Sequence, residues 1–145
     1  MDTGLRQRRS RILKIEITGQ SCPDVNRRIL KRLARRVLRG ERFKKSGKVS
    51  VVLVDNASIR SLNKRYLGKD RETDVLSFTY GEDDVYGETY ISVEQAREQA
   101  EEFGVSLETE MARLVIHGLL HILGYEDDTP DRKKKMTLLE DQYLS

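Results

Sequence analysis

The sequence predicts an α+β fold, a small mixed sheet of four strands packed with about five helices, and three observations predict it. The chain has 145 residues, which suits one hydrophobic core rather than two. Short β-branched runs mark four strands, while helical spacing of apolar residues marks five further segments. The two kinds of element do not alternate strictly along the chain, which favours a mixed α+β sandwich over a regular doubly wound sheet. Hydrophobic residues make up 37% and charged residues 35%, with no Trp and 2 Pro, so a core forms and collagen-like, mucin-like and disordered readings are excluded. The longest purely apolar run, Val51 to Val54, is far short of the roughly 20 residues that span a bilayer.

Residues 1–11, with Arg6, Arg8, Arg9 and Arg11, read as a flexible basic tail, and 12–145 as a single domain. Ile12, Leu13, Ile15 and Ile17 predict a first strand, ended by Thr18-Gly19-Gln20. Asp24 is placed to cap a helix whose apolar positions Ile29, Leu30, Leu33, Ala34, Val37 and Leu38 recur at helical spacing until Gly40. Its other face is almost entirely Arg and Lys. Gly47 opens a second strand, Lys48 to Asp55, whose unbroken Val51-Val52-Leu53-Val54 centre predicts a central strand buried on both faces. Asn56 or Ser58 caps a short helix with Ile59, Leu62 and Tyr66, ended by Gly68.

Asp74 to Tyr80 reads as a third strand and Gly87 to Val93 as a fourth, paired as a hairpin around the acidic turn Gly81 to Asp84. Glu94 to Phe103, closed by Gly104, is a polar helix; Leu107 to Leu123, closed by Gly124, is far more apolar and is the predicted core helix. Pro130 starts a last helix through Leu139, with Met136 and Leu139 as a narrow apolar face.

The net charge of +3 hides an asymmetry: residues 1–48 carry 16 Lys/Arg against 4 Asp/Glu, and the remaining residues are net acidic. A basic end on an acidic body points to a polyanionic partner, because Lys and Arg that neutralise phosphates release counterions. A solvated helix face is the plainer alternative. The single Cys22 forms no intrachain disulfide, and no apolar signal segment follows the N-terminal arginines, so the cytoplasm is the expected compartment.

The two histidines of the chain both lie in His117-Gly118-Leu119-Leu120-His121, four apart on the predicted core helix. Residues at i and i+4 have Cβ atoms about 5–6 Å apart, so both imidazoles reach one metal ion. Gly124 reverses the chain just beyond, which lets Glu126, Asp127 or Asp128 fold back as a third ligand, Asp127 being the first candidate. Two His and one carboxylate leave an open coordination position, as in catalytic zinc sites. The competing reading has both imidazoles packing or capping the helix C-terminus. The spacing resembles the His-Glu-x-x-His of zinc proteases, a zincin-like metal helix, but Gly118 stands where that motif places its general base.

The stretch His117-Gly-Leu-Leu-His121-Ile-Leu-Gly124-Tyr125-Glu-Asp127, with Met136 downstream, resembles the signature of the YbeY family of ribosomal-RNA maturation endoribonucleases. Asn63-Lys-Arg-Tyr66-Leu-Gly-Lys-Asp70-Arg-Glu-Thr73-Asp74-Val75-Leu76-Ser77-Phe78 resembles that family's other marker, and Gly87-Glu88-Thr-Tyr-Ile91 its following strand. The resemblance implies a single catalytic domain over 12–145, a metal-dependent endoribonuclease using one Zn2+, and action in small-subunit ribosomal RNA 3′-end maturation and ribosome quality control. The partners it implies are precursor ribosomal RNA and the ribosome or small-subunit proteins, with no membrane.

It also implies three histidine ligands, of which His117 and His121 match two and Asp127 stands in the place of the third. An aspartate makes the site one unit less positive, so water there is less strongly acidified. Leu67 stands where many members of the family carry a functional arginine. Arg65, Lys69 or Arg71 are neighbouring candidates for the same phosphate contact, and ordinary charged surface is the equal alternative. Thr73, Asp74 and Glu88 are candidate residues for orienting an imidazole from behind, although local turn capping accounts for them as readily. Two rival functions remain: a zinc hydrolase of another substrate class, which lacks its base at Gly118, and a non-catalytic zinc-containing ribosome-binding factor.

Overall fold

The computed structural model describes residues 13–81 and 84–145. The expected tail 1–11, Ile12, and Glu82 and Asp83 of the acidic turn lie outside the described residues. The elements run in the order β1 (Leu13–Gly19), α1 (Arg27–Gly40), β2 (Gly47–Val54), α2 (Asn56–Leu67), β3 (Val75–Thr79), β4 (Val85–Ser92), α3 (Val93–Phe103), α4 (Leu107–Ile122) and α5 (Pro130–Leu144). The four strands form one mixed sheet in the order β1-β2-β4-β3. β2 is parallel to both β1 and β4, and β3 is antiparallel to β4. The α+β class and the hairpin are therefore as the sequence predicts.

The register aligns Ile15 with Val49 and Ile17 with Val51, and Val51 with Thr89 and Leu53 with Ile91. These residues share one face, because side chains alternate along a strand. Helices α1 and α4 pack on that face, with α3 and α5 against α4. Ile15, Val49, Val51, Leu53, Ile91, Leu114, Val115, Leu119 and Leu120 are buried there. Among the described residues the opposite face is covered mainly by α2, whose Ile59 is fully buried.

That asymmetry corrects the reading of β2. It is central, but Val51 and Leu53 are buried whereas Val52 and Val54 are only partly so, since one short helix cannot cover the second face. Two caps also differ. Asn26, not Asp24, caps α1 by accepting from the amides of Arg28 and Ile29, because Asp24 lies too far upstream to face the first turn. Asp55 caps α2 through the Ser58 amide, ahead of either expected residue. α5 runs on past Leu139 to Leu144, held by buried Met136 and Tyr143.

Helix α4 lies unusually close to the sheet. A Cβ at Gly118 would stand 2.1 Å from Thr89 Oγ1, and one at Gly87 would stand 2.7 Å from Ile122 Cγ2. The edge strand is stitched to the same helix: Ser77 Oγ donates to the Gly118 carbonyl at 2.8 Å and Thr79 Oγ1 to that of Ile122 at 3.1 Å. Overpacking a tight core contact costs about 1–3 kcal/mol. Gly118→Ala is therefore expected to destabilise the fold by that amount, read from the urea unfolding curve, and an unchanged midpoint would show that the helix has room to withdraw.

Candidate metal centre

Rotation of α4 about its axis is set by Gly118 against the sheet, and it carries His117 and His121 together to the side where α5 and the following turn return. The turn forms because Gly124 adopts φ +100°, a value that L side chains rarely take. The Tyr125 amide then bonds back to the Leu120 carbonyl at 3.0 Å, and Asp127 is delivered beside the two rings. Asp127 Oδ2 lies 3.5 Å from His117 Nε2 and 3.6 Å from His121 Nε2. The three ligand atoms all lie within 4.8 Å of one another and could hold a metal ion. Glu126 and Asp128, the other two carboxylates that the sequence left open, turn outward and accept from Arg132.

Hydrogen bonds behind the rings settle which nitrogen is free. His117 Nδ1 lies 3.1 Å from Glu140 Oε2, and His121 Nδ1 lies 3.0 Å from the Tyr125 carbonyl oxygen. A carboxylate and a carbonyl accept, so each Nδ1 carries the proton and each Nε2 presents a lone pair. Those two Nε2 atoms are 3.0 Å apart. Two lone pairs and a carboxylate oxygen aimed at one point repel one another unless a cation or a proton lies between them, so the donor chemistry fits a divalent ion with nitrogen and oxygen preference. The surrounding field agrees. Burial opposes the His117 cation, but the Glu140 hydrogen bond and the charges of Glu140, Asp127 and Asp74 outweigh it and raise its pKa above the ordinary imidazole value.

The residues proposed to orient the rings are placed differently from one another. Asp74 accepts from the Val75 amide at 2.8 Å and from Gln99 Nε2 at 3.3 Å, lines the cavity next to His117 and acts on it through charge alone. Thr73 Oγ1 lies 3.5 Å from Asp74 Oδ1. Glu88 accepts from the Tyr80 hydroxyl at 2.8 Å, on the sheet face opposite Thr89 and α4. Arg65, Lys69 and Arg71 are exposed, with the Arg65 guanidinium over the Tyr66 ring, and none of them lines the cavity beside the metal group. Leu67 is exposed as well, at 52%. Position 118 faces the sheet, where Thr89 leaves no space for a larger side chain, so a protease-type base has no place there.

Sequence reasoning missed Glu140 and the Tyr125 carbonyl, which orient the two imidazoles. Glu140 sits on the same stripe of α5 as buried Met136 and Tyr143, and an acid on a core-facing stripe was the available signal. Tyr125 is fixed in turn, because its hydroxyl donates to Glu41 Oε1 at 2.5 Å while the Tyr143 hydroxyl donates to Glu41 Oε2. Glu110, also missed, is a buried acid on α4 whose carboxyl is pushed up by burial and by Asp74 and Glu140, against the pull of Arg113.

One mixed sheet carrying a helix with two histidines and a returning carboxylate defines an α+β protein with a group of side chains that could hold a metal ion. The family model described as Endoribonuclease YbeY matches residues 14–145, and the chain belongs to that family. It is 41% identical over 130 residues to the endoribonuclease YbeY of Petrotoga mobilis, an alignment covering 88% of this chain and 90% of that relative. With that of Chlorobaculum tepidum it is 35% identical over 133 residues, covering 91% and 96%. The solution structure of TM1509 from Thermotoga maritima superposes with a TM-score of 0.62 at 33% identity, covering 90% of this chain and 86% of that one.

The bracing of Tyr143 has a measurable consequence. Burial, then the hydrogen bond to Glu41, push its hydroxyl from 10.0 up to about 12. The folded state holds this proton more tightly than the unfolded state, so the stabilisation is complete below pH 10 and is lost as pH rises through about 12. Ultraviolet titration is expected to show a tyrosine ionising in that range that Tyr143→Phe removes; ionisation of every tyrosine near 10 would contradict the bracing.

Proposed function

We propose that this chain is a metal-dependent endoribonuclease, hydrolysing phosphodiester bonds of single-stranded RNA, with one Zn2+ held by His117, His121 and Asp127. We further propose that it acts in the cytoplasm on precursor ribosomal RNA, in small-subunit 3′-end maturation and ribosome quality control, through its single domain of residues 12–145. The observation that carries the reading is the pair of Nε2 lone pairs 3.0 Å apart with the Asp127 carboxylate beside them, in a chain whose relatives are named endoribonucleases. Zinc suits two imidazoles and a carboxylate with an open position, and when bound it supplies Lewis-acid stabilisation of negative charge at the scissile phosphate.

The residues of the chain supply the rest. Glu140 holds the His117 ring and its tautomer, and the Tyr125 carbonyl does the same for His121. Along α1, Arg28, Lys31, Arg32, Arg35, Arg36 and Arg39 are exposed and enter no ion pair among the described residues, which leaves a cationic face for the RNA backbone. Arg65, Lys69 and Arg71 offer further exposed cations for phosphate at the end of α2 and in the loop after it. Asp74 adds negative charge to the field at His117, with Thr73 beside it, and Glu88 accepts from Tyr80 on the other sheet face. RNA brings its own 2′-hydroxyl as a potential nucleophile, so products ending in 2′,3′-cyclic phosphate would identify that route. No helix among the described residues is long and apolar enough to cross a membrane.

The zinc-loaded protein is expected to cut a labelled single-stranded RNA, to stop on chelation and to resume when zinc is restored. His117→Ala and His121→Ala are each expected to lower cleavage by about 100-fold or more while RNA binding and circular dichroism persist. Unfolding of both variants would instead favour a structural metal in a binding factor. Glu140→Gln is expected to weaken zinc about 10–100-fold, read by competition with a chromophoric chelator, and unchanged affinity would remove Glu140 from the site. Replacing Arg28, Lys31, Arg32 and Arg35 by Gln is expected to flatten the dependence of log Kd on log salt by about 0.7 for each phosphate that the helix no longer neutralises.

A further inference from the structure

We propose that the cavity beside the metal group is a nucleobase subsite, in which Glu110 and Arg113 read the guanine edge of a nucleotide flanking the scissile phosphate. The inference deepens the endoribonuclease reading and rests on it. The cavity has a volume of about 660 Å³ and shares His117 and Asp127 with the metal group, so a phosphate at the ligands and a base in the cavity belong to one nucleotide. Glu110, Arg113 and His117 follow one stripe of α4. Glu110 is seven residues from His117, about 10 Å along the helix, which matches the reach from a phosphate to the far edge of its base.

One acceptor at the floor of this cavity is unsatisfied. Glu110 is 1% exposed, and its Oε1 has no hydrogen-bond partner among the described residues. Beside it the Arg113 guanidinium stands 3.6 Å from Glu110, 3.7 Å from Glu140 and 3.7 Å from Asp141, close enough to share charge and too far for direct hydrogen bonds. A buried acceptor without a donor is costly, so Glu110 calls for something that supplies a donor, and the partly exposed Arg113 beside it can meet an acceptor on the same molecule. The walls carry an apolar surface, with Leu114 and Met136 buried and Phe103 and Val105 59% and 38% exposed, beside the polar Gln99, Lys133 and Thr137.

These features select the ligand. Glu110, with Asp74 and Glu140 nearby, repels a bare phosphate at the floor, while an apolar ligand would leave Glu110 Oε1 without a donor. A flat heterocycle fills the walls and meets the polar floor with its edge. Guanine presents N1–H and N2–H as two parallel donors to one carboxylate, with O6 next to them for the guanidinium. Uracil offers one ring N–H between two carbonyls, and adenine and cytosine offer an amino group without a ring N–H. Guanine is therefore the base that satisfies the pair.

Inosine lacks only the N2 amino group, so it tests the assignment atom by atom. Calorimetry of the zinc-loaded full chain is expected to show guanosine 5′-monophosphate binding about tenfold tighter than inosine 5′-monophosphate, the loss of one hydrogen bond to a charged acceptor. In Glu110→Gln the two are expected to bind within about twofold of each other. Equal binding by the unaltered protein, or full discrimination by a folded Glu110→Gln, overturns the proposal. If that variant does not fold, the comparison of the two nucleotides on the unaltered protein decides by itself. The monophosphates hold no scissile bond, which separates the two readings. Discrimination without RNA cleavage would sink the nuclease reading alone, and cleavage without discrimination, with guanosine or inosine at each position of the RNA, would sink the subsite alone.

Discussion

The contact between Gly118 and Thr89 determines how the rest of the molecule is arranged. Helix α4 approaches β4 so closely that one rotation about its axis is allowed, with Gly118 inward and the stripe of Glu110, Arg113, His117 and His121 turned toward α5 and the Gly124 turn. A methyl group at residue 118 would meet the Thr89 hydroxyl at 2.1 Å. Dense interiors transmit such contacts, because no void is available to absorb a shift. The edge strand β3 fastens the same helix through Ser77 and Thr79, so helix and sheet hold the imidazoles as one rigid unit.

Around that unit, hydrogen bonds do what packing alone cannot. An imidazole buried against apolar neighbours has two possible tautomers and some freedom of ring orientation. Glu140 removes both freedoms from His117, and the Tyr125 carbonyl removes them from His121, so that both free nitrogens point to one spot before any ion arrives. The bracing extends outward: Glu41, just beyond the C-terminal end of the basic helix α1, receives the hydroxyls of Tyr125 and Tyr143. A Cβ at Gly40 would stand 2.3 Å from the Tyr143 oxygen, so the glycine beside Glu41 is what lets Tyr143 close over it. The cationic helix and the metal group therefore belong to one framework, and RNA held along α1 would meet a site already in shape.

Legibility differed by the kind of physics involved. Apolar periodicity together with Gly, Pro and cap signals revealed the nine elements of the described residues, because these patterns are local and each helix or strand buries its own stripe. The pair His117 and His121 was legible for the same reason, a four-residue spacing on an apolar helix. The N-caps of α1 and α2 were misjudged by one to three residues, since Asn, Asp and Ser neighbours compete for the same first-turn amides and the entering chain direction chooses among them. The two-sided burial expected of β2 failed because the amount of helix on the second face is a property of the whole chain. Asp127 was the first candidate among three adjacent acids and stood at the third-ligand place in the family resemblance, and the φ of Gly124 and the pull of Arg132 on Glu126 and Asp128 are what bring it, and not its neighbours, to the rings.

By itself, then, the sequence determined the element order, the α+β class, the basic character of α1 and the two imidazoles on one helix face, all of which depend on contacts within a few residues. Tertiary structure alone decided that Glu140 stands behind His117, that Glu41 fixes the loop carrying Asp127, and that Glu110 and Arg113 share a cavity with the metal group. Those residues lie on different elements or far along one helix, and their meeting depends on crossing angles and the depth of the Gly118 contact. No local pattern encodes a distance between two helices that touch only after the sheet has brought them together.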